Sequence, residues 1–381
     1  MNPIITDDMI REKCKKEGYR FNYSFIKSTT SGRKERYMNV THLKCNKTYD
    51  CRITKFITEN QRCTCSRKIK NKEKLISYPV CDPDTINMTS YEQELFNEIK
   101  SFYDGEISKN FSLNNKELDI YIPSKKFGIE IDDLYWHSTK FKEKNFHIDK
   151  TKFFAENGIR VLHIFEDEWL FKKNIVMDKI KNILGLTSCK IPAKRCVVVK
   201  NISSEVKNEF LNNNHIQGED KSDIKYALEY EGEIVAVMTM KKFTFRGNNR
   251  NIYGEKAYEL TRYATKLGTS VVGGFSKLLN HILKDYNIEK IISYGDIRII
   301  DINKNMYSTN GFTLNHITAP NYFYVNGVRR LSKYSYRKSE LKKKYPNLYN
   351  DNLTEQEIMQ SLSFLIIYDC GLACYIMDIK K

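Results

Sequence analysis

Three short apolar segments separated by turns limit most strongly how the middle of this chain can fold. Residues 117–123 (ELDIYIP), 126–132 (KFGIEID) and 158–165 (GIRVLHIF) have the apolar pattern and the length of buried strands. A helix is expected over about residues 149–157, and an amphipathic helix precedes the first strand. The order helix, strand, strand, helix, strand predicts one mixed α/β domain over roughly residues 86–187.

The amphipathic helix before these strands has a clear predicted start. Thr89 and Glu92 have the spacing of a capping box, in which two side chains satisfy free backbone N–H groups. Apolar side chains then recur at helical intervals, at Tyr91, Leu95, Phe96, Ile99 and Phe102. Glu92 is therefore expected in the first turn of this helix.

The first two strands bring carboxylates together. A turn at residues 123–126 would pair Ile122 with Phe127, and in that register Asp119 lies directly opposite Glu130. Directly opposed residues have Cβ atoms about 4.5–5.5 Å apart. Two carboxylates at that distance repel each other, and a divalent cation would relieve the repulsion. The pair is a candidate Mg²⁺ site, and a solvated polar face of an edge hairpin is the alternative.

Two histidine-bearing segments follow the second strand, Trp136–His137 and the run His147, Asp149, Lys150. A neutral imidazole beside a metal can transfer protons, and a lysine can stabilise charge developing on a phosphate. Residues two apart in a regular helix are separated by about 200°, so His147 and Asp149 cannot both face one site. Either the helix starts at Asp149, which then acts as its N-cap, or one of the two is structural.

Taken in order, ELDIYIP, FGIEIDDLYWHS and FHIDKTKFFAENGIRVLHIFEDEW resemble the very-short-patch-repair-like endonucleases of the PD-(D/E)XK superfamily. They are most similar to the phage-borne EDxHD homing-endonuclease branch. The resemblance implies metal binding by the strand aspartate, which matches Asp119, and a catalytic histidine in the Trp–His turn, which matches His137. The remaining positions that match the family's motif are His147, Asp149, Lys150 and Glu92.

This sequence departs from the superfamily pattern in one strand. The usual lysine, two residues after the second acid Glu130, is replaced by Asp132, as expected for the histidine variant of the family. Relatives often carry Asn–Gly where this chain has Asp132 and Asp133, which leaves the role of Asp132 open. Glu92 also fits the capping box, so its role is open between cap and catalyst.

Residues 1–80 are basic and carry scattered cysteines, which predicts a small zinc-ribbon-like domain that contacts DNA. The ending Cys-x-Cys departs from the usual Cys-x-x-Cys, so a small basic domain with incidental cysteines is the alternative. The predicted structural Zn²⁺ ligands are His42, Cys45, Cys63 and Cys65, with Cys51 as a rival fourth ligand.

Within residues 195–345, the segments GEIVAVMTM, YELTRYATKLGTSVVGGFSKLL, IISYGD and NMYSTNGF follow one another in this order. Taken together, they resemble the GNAT N-acetyltransferase fold, an α+β architecture. The resemblance implies that a glycine-rich turn at a helix N-terminus, here Gly273 and Gly274, would hold a pyrophosphate if acyl-CoA is bound. Residues 346–381 are expected to add a helix and strands packed on this domain. A degenerate module that contributes DNA contacts or substrate choice is the alternative to an active transferase.

Net charge and hydropathy indicate which kinds of partner and which cellular location to expect for this chain. The net charge of +16, from 63 Lys and Arg against 47 Asp and Glu, favours double-stranded DNA as partner, although a Lys-rich surface alone would give the same excess. The N-terminal MNPIITDDMI lacks a secretory pattern, and no apolar run approaches the ~18 residues of a membrane helix. We therefore expect reduced thiols, no membrane partner and a cytoplasmic location, in the host cell if the chain is phage-encoded.

Together these features predict an α/β multidomain protein with a zinc-ribbon-like N-terminal domain, a PD-(D/E)XK-like nuclease core and a GNAT-like C-terminal domain. The function expected first is a Mg²⁺- or Mn²⁺-dependent DNA endonuclease of homing type. The alternatives are a GNAT-type acyltransferase acting on nucleic acid or protein, and a catalytically silent DNA-binding protein.

Overall fold

The computed structural model describes most of the 381-residue chain. The described residues are 6–28, 34–43, 47–57, 89–244, 253–346 and 349–379. The chain divides into two compact units, Met1–Asp82 and Pro83–Lys381, and each is described by itself. None of the described helices has the length and apolar character that a membrane-spanning helix requires.

The N-terminal unit is an antiparallel sheet flanked by helices. Its described elements are α1 (Asp7–Lys16), β1 (Tyr19–Ser28), β2 (Lys34–His42), β3 (Lys47–Arg52) and α2 (Ile53–Ile57). The strands pair in the order β1-β2-β3. The Thr6 hydroxyl caps α1 by accepting a hydrogen bond from the Met9 N–H. Met38, Val40 and Phe56 are fully buried in the apolar core of the unit.

The predicted zinc ribbon is not seen in the described part of this unit. Cys51, the rival zinc ligand, is 2% exposed and packs in the apolar core between sheet and helices. The ring of His42 packs on Tyr19, with ring centroids 4.6 Å apart. Cys45 and the pair at 63 and 65 lie outside the described residues. The zinc site therefore stays a prediction, while the described fold is a helix-flanked sheet rather than a ribbon.

The C-terminal unit begins with a sheet that matches the predicted order of elements. Its elements are α3 (Thr89–Lys100), β4 (Ser108–Leu113), β5 (Lys116–Ile122), β6 (Phe127–Asp132), α4 (Phe146–Glu156), β7 (Arg160–Phe165) and α5 (Glu166–Leu184). The strands pair in the order β4-β5-β6-β7, and only β6 and β7 run parallel among them. Ile122 pairs with Phe127, as predicted from the turn, so the hairpin register is confirmed.

The core of this β4–β7 sheet follows from the alternation of its strands. Ile120 and Ile129 face the same side and are fully buried, together with Leu95 of α3 and Trp169 of α5. Burying one such aliphatic or aromatic side chain stabilises a fold by about 1.5–3 kcal/mol. The polar side chains of the same strands are thereby directed to the opposite side, where the carboxylates lie.

Helix α4 begins earlier than the sequence predicts. Its first residue is Phe146 and its N-cap is Asn145, so a start at Asp149 with that residue as N-cap is wrong. His147 and Asp149 therefore both belong to the first turns of the helix, about 200° apart. His147 is buried, whereas Asp149 is exposed.

The rest of the unit forms a large mixed sheet, a smaller three-stranded sheet and a two-stranded parallel pair, β8 with β13. The elements are β8 (Cys189–Pro192), β9 (Val197–Lys200), α6 (Ser204–Asn214), β10 (Ile224–Tyr230), β11 (Glu233–Lys242), β12 (Ala257–Thr265), β13 (Thr269–Val272), α7 (Gly274–Asp285), β14 (Lys290–Asp296), α8 (Met306–Thr309), β15 (Thr313–Ile317), β16 (Tyr322–Asn326), β17 (Arg329–Ser332), α9 (Lys338–Lys344), α10 (Glu355–Ser361), β18 (Leu365–Tyr368) and β19 (Leu372–Asp378). The large sheet has the order β15-β19-β14-β12-β11-β10-β9, and the smaller sheet the order β17-β16-β18. The C-terminal strand β19 is thus an internal strand of the large sheet.

The β4–β7 sheet is joined to these later elements by direct contacts. The His163 N–H donates to the backbone oxygen of Arg298 at 3.1 Å, and the Thr139 N–H donates to that of Ile366 at 2.7 Å. An apolar cluster of Leu134, Phe165, Val325 and Ile367 closes the same junction. Contacts between residues at least 130 positions apart in the chain therefore fix the edge at which β6 and β7 end.

Candidate active site

The opposed carboxylates of β5 and β6 interrupt the regular ladder between the two strands. Backbone pairing extends to Ile120 and Ile129, and beyond it side chains replace backbone acceptors. The Ile131 N–H donates to Asp119 Oδ2 at 2.7 Å, and the Asp119 N–H donates to Glu130 Oε1 at 3.3 Å. The two carboxylates are thus held side by side at the polar face of the hairpin.

A lysine from α4 neutralises the more deeply buried of these carboxylates. Lys150 Nζ lies 2.6 Å from Glu130 Oε2, and only 2% of the Glu130 side chain is exposed. Strand β6 has no lysine two residues after Glu130, and Lys150 brings an ammonium group to that carboxylate from the helix. The cation that relieves the repulsion at Glu130 in this structure is therefore a side chain.

Burial raises the pKa values of three carboxyl groups in this part of the site, Asp119, Glu130 and Glu92. Burial raises the pKa of Asp119 to about 7, against the lowering effect of the Ile131 N–H, and nearby Glu92 raises it further. Burial and the charge of Asp119 raise the pKa of Glu130 well above its usual range. Burial also raises the pKa of Glu92, which lies on α3 within the electrostatic reach of His137 and Lys150. A cation bound beside these carboxyl groups would lower their pKa values, because it would stabilise the charged carboxylate forms.

Asp132, His137 and His147 form a second, adjacent group. Asp132 Oδ1 lies 3.0 Å from His137 Nδ1 and 3.4 Å from His147 Nε2, and the two ring nitrogens are 3.0 Å apart. Nitrogen ligands bound at about 2.1 Å to one ion have similar separations. Asp132, His137 and His147 could therefore hold a metal ion. Within the described residues, His147 Nδ1 is buried and has no hydrogen-bond partner.

The histidines keep Asp132 ionised although it is fully buried. Burial alone would raise the pKa of this carboxyl group, but His147 and His163 lower it well below its usual range, and the His137 hydrogen bond lowers it further. The lowered pKa favours the carboxylate form of Asp132 at the end of β6, which can orient imidazole rings or bind a cation.

His163 is a member of the site that the sequence argument missed. Its Nδ1 lies 3.0 Å from Asp132 Oδ2, and its Nε2 lies 2.9 Å from the Thr151 hydroxyl. Burial lowers the pKa of His163, while the charge of Asp132 and the hydrogen bond to it oppose that effect. The available signal was a single polar residue inside the apolar run RVLHIF of β7, beside the strand that bears Asp132.

The structure brings together most of the residues that the sequence singled out for the nuclease site, and leaves Asp149, Gly273 and Gly274 outside this group. Asp149 is exposed on the far side of α4 from His147, because the helix begins at Phe146. Gly273 and Gly274 lie in a different part of the unit, at the N-terminus of α7. The residues brought to the polar edge of the β4–β7 sheet are Glu92, Asp119, Glu130, Asp132, His137, His147 and Lys150.

An aromatic and basic patch lies next to His137 in sequence and space. The partly exposed Trp136 ring lies 5.1 Å from Tyr135 and 4.7 Å from Phe141, measured between ring centroids. The Lys140 ammonium lies over both Tyr135 and Phe141. Flat rings beside lysines are the features that bind nucleobases and phosphates.

Comparison with known proteins gives partial similarities. No protein-family model and no curated protein matches the chain. Part of the chain is similar to the catalytic domain of the homing endonuclease I-Bth0305I, at 24% identity over 25% of this chain and 93% of that chain, with a TM-score of 0.22. Another part is similar to a Bacillus subtilis acetyltransferase in complex with CoA, at 10% identity over 49% of this chain and 99% of that chain, with a TM-score of 0.27. At these TM-scores neither similarity supports an argument about activity, which must rest on the site.

Proposed function

We propose that this protein is a metal-dependent DNA endonuclease of homing type, which hydrolyses phosphodiester bonds as part of a phage or mobile element. The observation that supports this best is the juxtaposition of Asp119, Glu130 and Lys150 with the Asp132–His137 pair at one edge of the β4–β7 sheet. Carboxylates that bind a metal ion, an ammonium group and an oriented imidazole can each contribute to phosphodiester hydrolysis.

Asp119 and Glu130 are the proposed ligands of Mg²⁺ or Mn²⁺. Asp119 uses one oxygen for the Ile131 N–H, which leaves Oδ1 for an ion, and oxygen ligands with water suit Mg²⁺. When bound, the ion would lower the pKa of a water molecule and offset negative charge on the phosphate. Lys150, 2.6 Å from Glu130, would add positive charge beside the same phosphate.

His137 is the proposed proton-transfer residue. Its Nδ1 lies 3.0 Å from Asp132 Oδ1, so the ionised carboxylate can hold the ring in the tautomer with Nδ1 protonated. Nε2 is then the nitrogen that would accept a proton from water or donate one to the leaving oxygen, and 15% of the side chain is exposed. His147 Nε2 and His163 Nδ1 also contact the Asp132 carboxylate, at 3.4 Å and 3.0 Å.

The Asp132, His137 and His147 group offers a different way to use a metal ion. If that group binds the catalytic ion, His137 is a ligand instead of a proton carrier, and its two nitrogen ligands favour Zn²⁺ or another transition metal over Mg²⁺. Cleavage supported by Mg²⁺ alone, after removal of tightly bound metal, would favour the Asp119 assignment.

Cleavage of supercoiled plasmid DNA by the full-length protein tests the proposal directly. With Mg²⁺ or Mn²⁺ the wild type should cleave, and EDTA should abolish cleavage. His137→Ala and Lys150→Met should lower the rate about 10²–10⁴-fold, the range that a proton-transfer or charge-stabilising residue contributes. Lys152→Met is the matched control, because Lys152 is exposed on the same helix, and it should cleave at the wild-type rate. Equal losses for Lys150→Met and Lys152→Met would contradict the site.

A second candidate function, an acyltransferase acting on nucleic acid or protein, is favoured by one observation. Gly273 is the N-cap of the twelve-residue helix α7 with a φ of 78°, and Gly274 begins the helix. A Cβ on Gly274 would lie 2.9 Å from the Tyr263 hydroxyl, so the backbone approach there needs glycine. Free N–H groups at such a helix start can bind a pyrophosphate. Binding of coenzyme A that depends on these glycines would support this candidate.

A further inference from the structure

The small sheet packs directly against the segment that carries the candidate proton-transfer residue. Residues 133–145 join β6 to α4 and contain His137. Within this segment the Thr139 N–H donates to the backbone oxygen of Ile366 in β18, at 2.7 Å. Leu134 shares an apolar cluster with Val325 of β16. The surface of the small sheet therefore adjoins the surface around His137.

Cationic and aromatic side chains form a continuous series from this segment across the small sheet. The Lys144 ammonium lies over the Tyr368 ring of β18, 5.9 Å from its centroid. The Tyr368 and Tyr322 rings lie side by side on paired strands, with centroids 5.9 Å apart. The Lys333 ammonium lies over the other ring, Tyr322, at 4.6 Å. Contacts thus lead from the candidate active site to the residues that follow β17.

The series continues beyond β17 to a more exposed part of the surface. The Lys333 ammonium also lies 5.6 Å from the centroid of the Tyr334 ring, and the Arg337 guanidinium lies over the same ring at 4.8 Å. Tyr334 is 60% exposed, and both Arg337 and Lys144 are exposed. We call this series the basic stripe, and its members are Lys144, Tyr368, Tyr322, Lys333, Tyr334 and Arg337.

The charge of the basic stripe is not neutralised by carboxylates among the described residues. Lys144, Lys333 and Arg337 lie over rings and form no ion pair there. Glu355 contacts the stripe only through the hydroxyl of Tyr322, at 3.2 Å. Residues 329–344 as a whole carry eight Lys and Arg against one acidic residue. Such a local excess of positive charge attracts a polyanion.

We propose that the basic stripe binds the sugar-phosphate backbone of double-stranded DNA beside the bond that the proposed endonuclease would cleave. Lysine, arginine and tyrosine side chains commonly contact DNA phosphates. A ring beneath a cation restricts its movement, so less side-chain freedom is lost when the cation meets a phosphate. The stripe starts in the segment between His137 and His147, so DNA bound along it extends away from the candidate active site.

The exposure of the rings favours a duplex over a single strand as the partner. Unpaired bases bind by stacking on open ring faces. In the basic stripe, Tyr322 and Tyr368 are only half-exposed and each has a lysine over its ring. Tyr334 is the member whose ring is most exposed, and a cation lies over it too. The groups presented to a partner are therefore mainly cations, which suit backbone phosphates.

The proposal rests on the proposed function, but DNA binding can be measured without cleavage. Fluorescence anisotropy of the full-length protein with a labelled duplex of about 30 base pairs, in EDTA and over a range of salt, counts the phosphate contacts. Losing one contact lowers the slope of log affinity against log salt by about 1. Lys144→Gln and Arg337→Gln should each show this change and bind about 3- to 10-fold more weakly at 0.1 M salt.

Lys125→Gln is the matched control for Lys144→Gln. Lys125 is an exposed lysine in the turn between β5 and β6, at the opposite end of β6 from Asp132. It should bind DNA with the wild-type affinity and salt slope. Because all three substituted residues are exposed, each variant should unfold at the wild-type temperature, which a thermal melt checks.

Cleavage assays with Mg²⁺ separate this proposal from the proposed function. Arg337→Gln should reach the wild-type single-turnover rate at saturating protein and need about 3- to 10-fold more protein for half-saturation, because it removes binding and not chemistry. Cleavage with unchanged salt slopes for Lys144→Gln and Arg337→Gln, or losses equal to that of Lys125→Gln, would overturn the stripe and leave the endonuclease standing. Tighter binding of a single strand than of the duplex would also overturn it. The expected slope changes in a wild type that cleaves no DNA would support the stripe and contradict the endonuclease.

Discussion

The Glu166 carboxyl group is buried, and only one of its two oxygens has a hydrogen-bond partner among the described residues. Its Oε2 accepts the Leu134 N–H at 3.1 Å, while its Oε1 is buried without a partner among the described residues. Burial raises the pKa of Glu166 to about 7, and Asp133 raises it further. Since the folded protein holds this proton more tightly than the unfolded chain, Glu166 costs stability as the pH rises from about 4.5 to 7.

Glu166→Gln should therefore stabilise the protein at high pH and have little effect at low pH. The amide keeps the acceptor for the Leu134 N–H and carries no charge, so the gain at pH 8 should be on the order of 3 kcal/mol at most. Urea denaturation of both proteins at pH 4.5 and pH 8 measures the difference. Glu156→Gln, at an exposed residue of α4, should show no such pH dependence. A gain that is equal at both pH values would contradict the raised pKa.

At the scale of elements, a buried ion network holds the start of α5 against two distant strands. Glu168 forms a two-pronged contact with Arg298 just after β14, with both N–O distances at 3.0 Å. Its Oε1 also lies 2.7 Å from Arg330 of β17. Burial alone would raise the pKa of Glu168, but Arg298 and Arg330 lower it to about 2. The network therefore couples the β4–β7 sheet to the large and the small sheet.

Glu168→Gln should destabilise the C-terminal unit strongly, because it leaves Arg298 with less compensation for its buried charge. Breaking a buried pair by removing one partner costs about 3–5 kcal/mol. Because the Glu168 pKa is depressed, its contribution is present above about pH 4.5 and is lost as the pH falls towards 2. Chemical denaturation at pH 7, with Glu209→Gln on an exposed face of α6 as control, measures the loss. Equal stability of the two variants would contradict the role of the network.

The elements that local patterns determine were predictable, and those set by tertiary contacts were not. The β5–β6 register followed from alternation and a short turn, which placed Asp119 beside Glu130. The start of α4 was misjudged because Asp149 is a good N-cap by residue type, whereas packing of Ile148 and Phe154 extends the helix back to Phe146. That shift is what turns His147 inward and Asp149 outward.

Contacts between residues far apart in sequence account for the rest of what the sequence did not predict. The Thr151 hydroxyl lies 3.5 Å from Cys370 Sγ and also contacts His163, so the C-terminal segment borders the candidate site. Lys150 reaches Glu130 only because α4 packs along the sheet, which no spacing within β6 could indicate.

Two features of the whole molecule bear on its function. One is its net charge of +16, and the other is the edge of the β4–β7 sheet at which carboxylates and histidines are gathered. A cation-rich chain attracts DNA by releasing counterions, and this attraction weakens as salt rises. The central claim is therefore that DNA bound by this charge is cleaved at the edge where β5 and β6 bring Asp119 to Glu130.

The measurement that tests this claim most directly is the single-turnover rate of DNA cleavage by Asp119→Asn and Asp149→Asn at pH 8 with Mg²⁺. Both changes remove one aspartate charge, and the amide oxygen introduced by Asp119→Asn can still accept the Ile131 N–H, but only Asp119 lies at the candidate metal site. The account predicts that Asp119→Asn loses at least about 10³-fold in rate while Asp149→Asn cleaves like the wild type. Wild-type cleavage by Asp119→Asn, or no metal-dependent cleavage by the folded wild type on any DNA, would contradict it.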